Sequence, residues 1–386
     1  MCPHPTYQTS PHSSRTQTEL LPLLKSHLPH SLPLLRRIQH EIAHPSPTAA
    51  ILTTFPGPAS LVVPELAPVP GPRVPDHDVS PWLIAYVDLS AGRETQIVLY
   101  SNLERASFHT NTNTNTKNSP ANSTPIPIPI STLSQSTSPS KDLLLPLRTQ
   151  FLSLLKYIKT HLLPPYLSTI PSPPAKDDHQ LAPPPPTAFL IGNLHTGIFS
   201  SLLNPGTNYP DADLQTGFVD GVKVHRYDRA PYVKYIIPRE RISAKGTGEE
   251  MNGFHFGTGN VKRSDLGLVR ARTVIPRSEE TLAKLRSCAV YRNLPLNPDE
   301  EDKPVAWAFL GTDGSLATLH VEEEVRGLGL AGFVGREVMR RGLKDEDEDE
   351  GWVHANVAME NRASRRVMEK LGGEVGWTVT WTVLEV

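Results

Sequence analysis

The sequence predicts an α/β fold built on a mixed sheet, and three observations carry that prediction. From residue 262 onward, β-branched and aromatic runs alternate with amphipathic stretches in the order β-α-β-β-β-α-β-α-β. Thr312-Asp313-Gly314 separates two apolar runs as a hairpin turn does. Leu316-Ala317-Thr318-Leu319-His320-Val321 then runs into a glycine-rich turn, Arg326-Gly327-Leu328-Gly329-Leu330-Ala331, and a helical pattern follows from Phe333 to Arg341. A strand, glycine turn and helix in this order recur wherever phosphate is held. The N–H groups and dipole at the helix start favour an anion, and glycine lets it approach the main chain.

Composition bounds the rest. The 386 residues suffice for two ordinary domains. Hydrophobic residues make up 38% and prolines number 39, about twice the usual share, so part of the length is expected to be loop or disordered. A net charge of −2 argues against a general affinity for nucleic acid or anionic membrane. The two cysteines, Cys2 and Cys288, form neither a disulfide framework nor a zinc spacing, which fits a reduced, intracellular setting. Met1-Cys2-Pro3-His4-Pro5 lacks the basic start and apolar core of a signal peptide, and no apolar run approaches membrane-spanning length. The expectation is a soluble, cytoplasmic chain, with nuclear and mitochondrial locations left open and no clear targeting signal.

In the first half, Glu19 to Ile42 is leucine-rich with helical spacing, and Pro22, Pro29 and Pro33 divide it into short helices. Ala50 to Phe55 reads as a strand, and Trp82 to Val87 with Thr95 to Tyr100 as a hairpin around Gly92. Ser107 to Ser140 is low in complexity and reads as a disordered insert. Lys141 to Leu163 places Leu144, Leu147, Phe151, Leu154, Leu155 and Ile158 on one helical face. A proline-rich loop, 164–186, precedes a strand at Ala188 to Ile191 and a helix from Asn193 to Leu203. Val222 to His225 and Tyr232 to Ile237 suggest two more strands. The expected organisation is an N-terminal domain over 18–240, a polar linker over 241–261 and a C-terminal domain over 262–386.

In the second half, Leu266 to Thr273 reads as a strand and Ser278 as the cap of a helix to Arg286. Cys288 to Tyr291, Val305 to Leu310 and Ser315 to Val321 are the next strands, and the glycine-turn helix ends at Gly342. Asp345 to Glu350 is an acidic run of the kind that forms a solvated loop. Trp352 to Val357 is a strand. Asn361 caps a helix with Ala363, Val367 and Leu371 on one face, closed by Gly372-Gly373. Thr378 to Leu384 is the last strand.

The halves echo each other: a hairpin, an amphipathic helix, a strand, and a helix led by Asn193 or Asn361. The first copy has Asn102-Leu103-Glu104-Arg105 where the second has its glycine turn, so a coenzyme site is expected only in the second. Gly327 to Gly332 also fits G-x-G-x-x-G. A dinucleotide fold, however, needs that motif early in a multi-strand domain with an acid about twenty residues on. Here fewer than sixty residues follow.

Arg326-Gly327-Leu328-Gly329-Leu330-Ala331 resembles the Arg/Gln-x-x-Gly-x-Gly/Ala signature of the GNAT acyltransferase superfamily. Asn361-Arg362-Ala363-Ser364, continuing through Lys370-Leu371-Gly372, resembles that superfamily's Asn-x-x-Ser/Ala helix at the expected distance. The Trp307 hairpin, Leu319-His320-Val321 and Trp352 to His354 look most like the glycine N-acyltransferase-like branch. The likeness is clear over 266–386. It implies a GNAT fold in the C-terminal half beside a divergent, GNAT-like N-terminal half. The implied activity is N-acyl transfer, most simply N-acetyl transfer, from acetyl-CoA or another acyl-CoA to a primary amine on a small molecule or a protein. No prosthetic group, metal, nucleic acid or membrane partner is implied. The alternative is a catalytically weak or inactive coenzyme-binding protein.

The resemblance also assigns roles. Gly327, Leu328, Gly329, Leu330 and Ala331 would cradle the pyrophosphate behind Arg326. Leu319 and Val321 would offer main-chain hydrogen bonds to the pantetheine arm, and Asn361 and Ser364 would line the channel near sulfur. A tight turn and a plain helix cap are the blander accounts of the glycines and of Asn361. The superfamily's tyrosine acid falls on Met368, which has no proton to give. His320 and His354 are the candidate bases, since both lie on strands beside the proposed site and histidine titrates near neutrality.

Overall fold

The computed structural model describes residues 5–56, 80–91, 94–106, 141–169, 185–203, 218–219, 221–243, 251–273, 275, 277–293, 303–343 and 351–385. The insert over 107–140, most of the proline-rich loop, part of the expected linker and the acidic run from Asp345 to Glu350 lie outside them.

Prolines set the first elements. After an edge strand β1 (Tyr7–Thr9), Pro22 and Pro33 sit in the first turns of α1 (Leu21–Ser26) and α2 (Leu32–Ala43), where a missing N–H costs no helical bond. Three antiparallel strands follow, β2 (Ala49–Thr53), β3 (Leu83–Asp88) and β4 (Ile97–Ser101). A short α3 (Leu103–Ala106) precedes α4 (Lys141–Tyr157), which continues through Thr169. Then come β5 (Ala188–His195), α5 (Thr196–Leu203), a small hairpin of β6 (Phe218–Val219) and β7 (Val222–Tyr227), β8 (Tyr232–Pro238) and α6 (Arg239–Ser243). Strand alternation sends Ile51, Ile84, Tyr86 and Val98 to α2, and Leu52, Ala85, Leu99 and Ile191 to α4.

The second half repeats this plan. After β9 (Phe254–Phe256), α7 (Leu266–Ala271) and α8 (Glu279–Lys284), three antiparallel strands follow, β10 (Ser287–Arg292), β11 (Ala306–Leu310) and β12 (Ser315–Val321). Next are α9 (Leu330–Gly342), β13 (Trp352–Ala358), α10 (Arg362–Lys370) and β14 (Glu374–Glu385). Ala308, Val334, Val338 and Val353 pack together on one face, while Trp307, Phe309, Val269 and Leu282 pack on the other. Among the described strand pairs only β4–β5 and β12–β13 are parallel.

The halves exchange their final strands. The order runs β1-β2-β3-β4-β5-β14-β8-β13-β12-β11-β10-β9, so β8 lies against β13 of the second half and β14 against β5 of the first. Val233, Tyr235 and Ile237 thereby complete the second half's core, and Leu384 the first half's.

Several elements depart from expectation. Leu266 to Ala271 is helical: its buried residues, Leu266 and Val269, are three apart, a helical spacing that a strand would send to opposite faces. Phe254–Phe256, inside the expected linker, is an edge strand on β10, and Phe256 stacks on Phe333 at 4.1 Å. Asn193 lies within β5 with φ 56°, and the helix starts later, at Thr196.

The exchange buries ionisable groups at the junction. Lys234 is fully buried and donates to His354 Nδ1 at 3.3 Å, while His354 Nε2–H donates to the Asp313 carbonyl at 2.9 Å. Burial pushes Lys234 down to about 7, and His354 and His195 each down to about 3. Above about pH 6.5 these rings are neutral in both states. Below it the unfolded chain takes up protons that the folded chain refuses, so stability falls as pH drops from about 6.5 toward 3. Glu104, pushed up to about 8 by burial, acts in the opposite sense between about 4.5 and 8, so the net loss is steepest below about 4.5. Urea unfolding at pH 7 and pH 4 should therefore show a loss on the order of a few kcal/mol at the lower pH. His354→Gln should shrink that loss; an unchanged difference would remove His354 as its source.

Candidate active site

β12 and β13 pair only at Ser315–His354 and Leu316–Ala355, and then part. A bulge in β12 accompanies the parting: register slips between Trp307 and Phe309, and Thr318 takes φ 51°. β12 is an interior strand, yet every residue from Ala317 to Glu322 is only half-buried, as are Asn356 and Ala358 across the gap. The matching β4 of the first half is buried along its whole length, with Ser101, Asn102 and Glu104 buried beside it. Among the described residues, the groove between the parallel strands is therefore open in the second half alone. A crevice of about 720 Å³ lies between α2 and α8, away from this parting, and its charges include the pairs Arg37–Asp88 and Arg270–Glu279.

The groove ends at the glycine turn. Gly327 and Gly329 have φ 83° and 89°, a conformation that side chains disfavour. A Cβ at Gly327 would meet nothing within 4 Å, and one at Gly329 only Met251 Cε at 3.7 Å, so the glycines serve the backbone path and the space above it. The N–H groups of Gly327, Leu328 and Gly329 have no partner among the described residues, and no side chain caps α9. Leu330 anchors the turn from beneath, fully packed, while Leu328 is 56% exposed and Ala331 half-buried. Open donors around a left-handed turn at the start of a 13-residue helix suit a pyrophosphate.

Arg326 begins the turn. Its Nε–H donates to the Val321 carbonyl at 3.1 Å and its guanidinium pairs with Glu323 at 3.2 Å, so it staples the loop to the strand end. That engages the carbonyl of Val321, one of the two residues whose main chain is expected to meet a pantetheine arm. Leu319, in the bulge, packs its side chain toward the α9 side.

Asn361 caps α10, its Oδ1 accepting from Ser364 N–H at 3.0 Å, and Ser364 is half-buried. Met368 is only 1% exposed, within the core that Leu371 and Val334 share. Met368→Tyr, which would restore the superfamily's acid in sequence, should therefore cost about 1–3 kcal/mol by overpacking, read as a lower Tm, without raising turnover.

The two histidines part company. His320 lies on the face opposite α9, stacked on Trp307 at 4.6 Å, with Nε2 at 3.5 Å from Glu322 and 18% of its side chain exposed. Glu322 is also bound by Arg272 at 3.0 Å. His354 is 1% exposed, both its ring nitrogens are engaged at the junction, and it sits where the parallel pairing begins rather than where it opens. It is held neutral and belongs to the interior, which corrects its place among the candidate bases.

The geometry adds groups with no sequence signal: Trp307 Nε1, Thr318 Oγ1, His320 Nε2 and both amide atoms of Asn356 are buried without hydrogen-bond partners among the described residues. Cys288 is buried and its thiol is pushed up to about 12, so it offers no thiolate. Among the described residues no group of His, Cys, Asp and Glu could hold a metal, and no helix is long and apolar enough to cross a membrane.

Residues 5–235 match the family model described as the acyl-CoA N-acyltransferase verG N-terminal domain, and residues 296–382 match that of FR47-like protein. No curated protein sequence matches the chain. A Drosophila protein of 12% identity has a similar fold, with a TM-score of 0.52 over 99% of this chain and 98% of its own. A putative acetyltransferase from the GNAT family of Novosphingobium aromaticivorans, 19% identical, aligns over 44% of this chain and 69% of its own, with a TM-score of 0.32. A tandem GNAT protein from the clavulanic acid biosynthesis pathway, 10% identical, aligns over 99% and 98% with a TM-score of 0.42.

Proposed function

The chain belongs to the family of the acyl-CoA N-acyltransferase verG N-terminal domain, with a GNAT fold in both halves, and from that premise we propose that its second half transfers an acyl group from acyl-CoA to a primary amine. The observation that carries this reading is the open groove between β12 and β13, which runs into a turn whose N–H groups meet no partner among the described residues. The turn from Gly327 to Ala331 would take the pyrophosphate. The pantetheine arm would lie along the unpaired edge of β12, bringing the thioester to the bulge at Thr318.

The chemistry asked of the chain is modest. A neutral amine attacks the thioester carbon, a C–N bond forms, and collapse of the tetrahedral intermediate breaks C–S and releases the thiolate. His320, with Glu322 beside it, would take the ammonium proton. Main-chain N–H groups at the bulge would face the developing oxyanion. A thiol of pKa about 8.5 leaves without a dedicated acid, so a core methionine at 368 is no bar.

Incubation with acetyl-CoA and pooled primary amines, followed by mass spectrometry, tests this reading. An acetylated amine with equimolar free CoA is expected. Acetyl-CoA bound and never consumed would leave a coenzyme-binding protein instead.

A further inference from the structure

The five unpartnered atoms are not scattered. Trp307 and His320 are directly opposed across β11 and β12, so they share a face, and Thr318 lies two residues from His320 at the bulge. Phe309 opposes Ala317 on that face, and Ser315 opposes His354, which puts Asn356, two residues on from His354, on the same side. Asn356 is one residue past the last β12–β13 pair, where the groove opens. His320 and Asn356, both half-buried, therefore border the groove along the wall opposite α9, the side from which an amine would reach a thioester lying along β12, with Trp307 packed behind His320 and Thr318 in the bulge beside them.

Resting on the acyl-transfer reading, we propose that this wall binds the acceptor and selects primary amines that carry a neutral hydroxyl or carboxamide group over those that carry a carboxylate. Buried polar atoms without partners are costly, and a ligand that supplies the partners gains accordingly. The wall offers both kinds of group. Asn356 Nδ2–H donates, Asn356 Oδ1 accepts, and Thr318 Oγ1 does either. A hydroxyl or carboxamide, donor and acceptor at once, satisfies such a set. A carboxylate only accepts, would leave Asn356 Oδ1 unpaired, and needs a cation. Of the cations on this side, Arg272 is paired with Glu322, and Lys234, opposite Asn356 on β8, is fully buried and donates to His354.

The test compares matched acceptors of equal length, glycinamide against glycine and serinol against serine, by kcat/KM calculated on the concentration of free-base amine, with saturating acetyl-CoA. The expected preference for the neutral member is tenfold or more. Asn356→Leu, nearly the same size, should reduce that preference at least fivefold while acetyl-CoA affinity stays within twofold. Thr318→Val, equally branched, provides a second variant and should lower the preference in the same direction. Equal rates on the two members of each pair would overturn the proposal, as would a preference untouched by both variants in chains that still bind acetyl-CoA. Failure to bind acetyl-CoA at all would instead overturn the acyl-transfer reading, and the acceptor proposal with it.

Discussion

Valine at both Gly327 and Gly329 is expected to weaken acetyl-CoA binding at least about a hundredfold, roughly 2.7 kcal/mol or more, in calorimetric titration. The two φ values, 83° and 89°, aim the loop's N–H groups outward, and a β-branched residue resists that conformation at about 1–2 kcal/mol each. The substitution therefore either turns the donors away or fills the space above them. Neither glycine's Cβ position is crowded by the folded chain, so the protein should stay folded with only a moderate fall in Tm. Leu328→Ala, at a 56% exposed position between them, is the control and should change affinity only a fewfold. Wild-type affinity in the valine variant would remove the turn from the site.

The second large effect concerns folding. Residues 251–386 expressed alone are expected to show no cooperative unfolding by circular dichroism. This fragment lacks β8, and with it three fully buried side chains, Val233, Tyr235 and Ile237. Each contributes about 1.5–3 kcal/mol of burial, and their sum rivals the typical stability of a domain, about 5–15 kcal/mol. Facing edges of β13 and β14 would also be stripped of their partner. Mixing with residues 1–243 should restore the transition. A fragment that melts cooperatively by itself would show that the exchanged strand is dispensable.

The sequence is most informative where structure is local. The turn at Thr312-Asp313-Gly314 is marked by its own residues, and Gly314 indeed takes φ 76°. The strand-turn-helix around Gly327 is marked in the same way, because left-handed positions select glycine. Thr318 shows the opposite: a β-branched residue at φ 51° carries no warning of the bulge, which arises from strands parting around it. Asn361 fits the motif and the helix cap equally, since one side-chain oxygen serves a backbone N–H in either case. Strand exchange is invisible locally, because Tyr232 to Ile237 reads as a β-strand whichever half it joins. Lys234, alone among apolar residues there, was the available hint that this strand meets a polar junction. His354 misled for the same reason: its strand was legible, but its partners Lys234 and Asp313 come from outside that strand.

The stoichiometry of acetyl-CoA binding tests most directly whether one groove, in the second half, serves a chain with two similar halves. Titration of the full chain should give one molecule per chain, with that site lost in the valine variant. Two molecules per chain, or one that persists after the glycines are replaced, would place the coenzyme elsewhere and contradict the site described here.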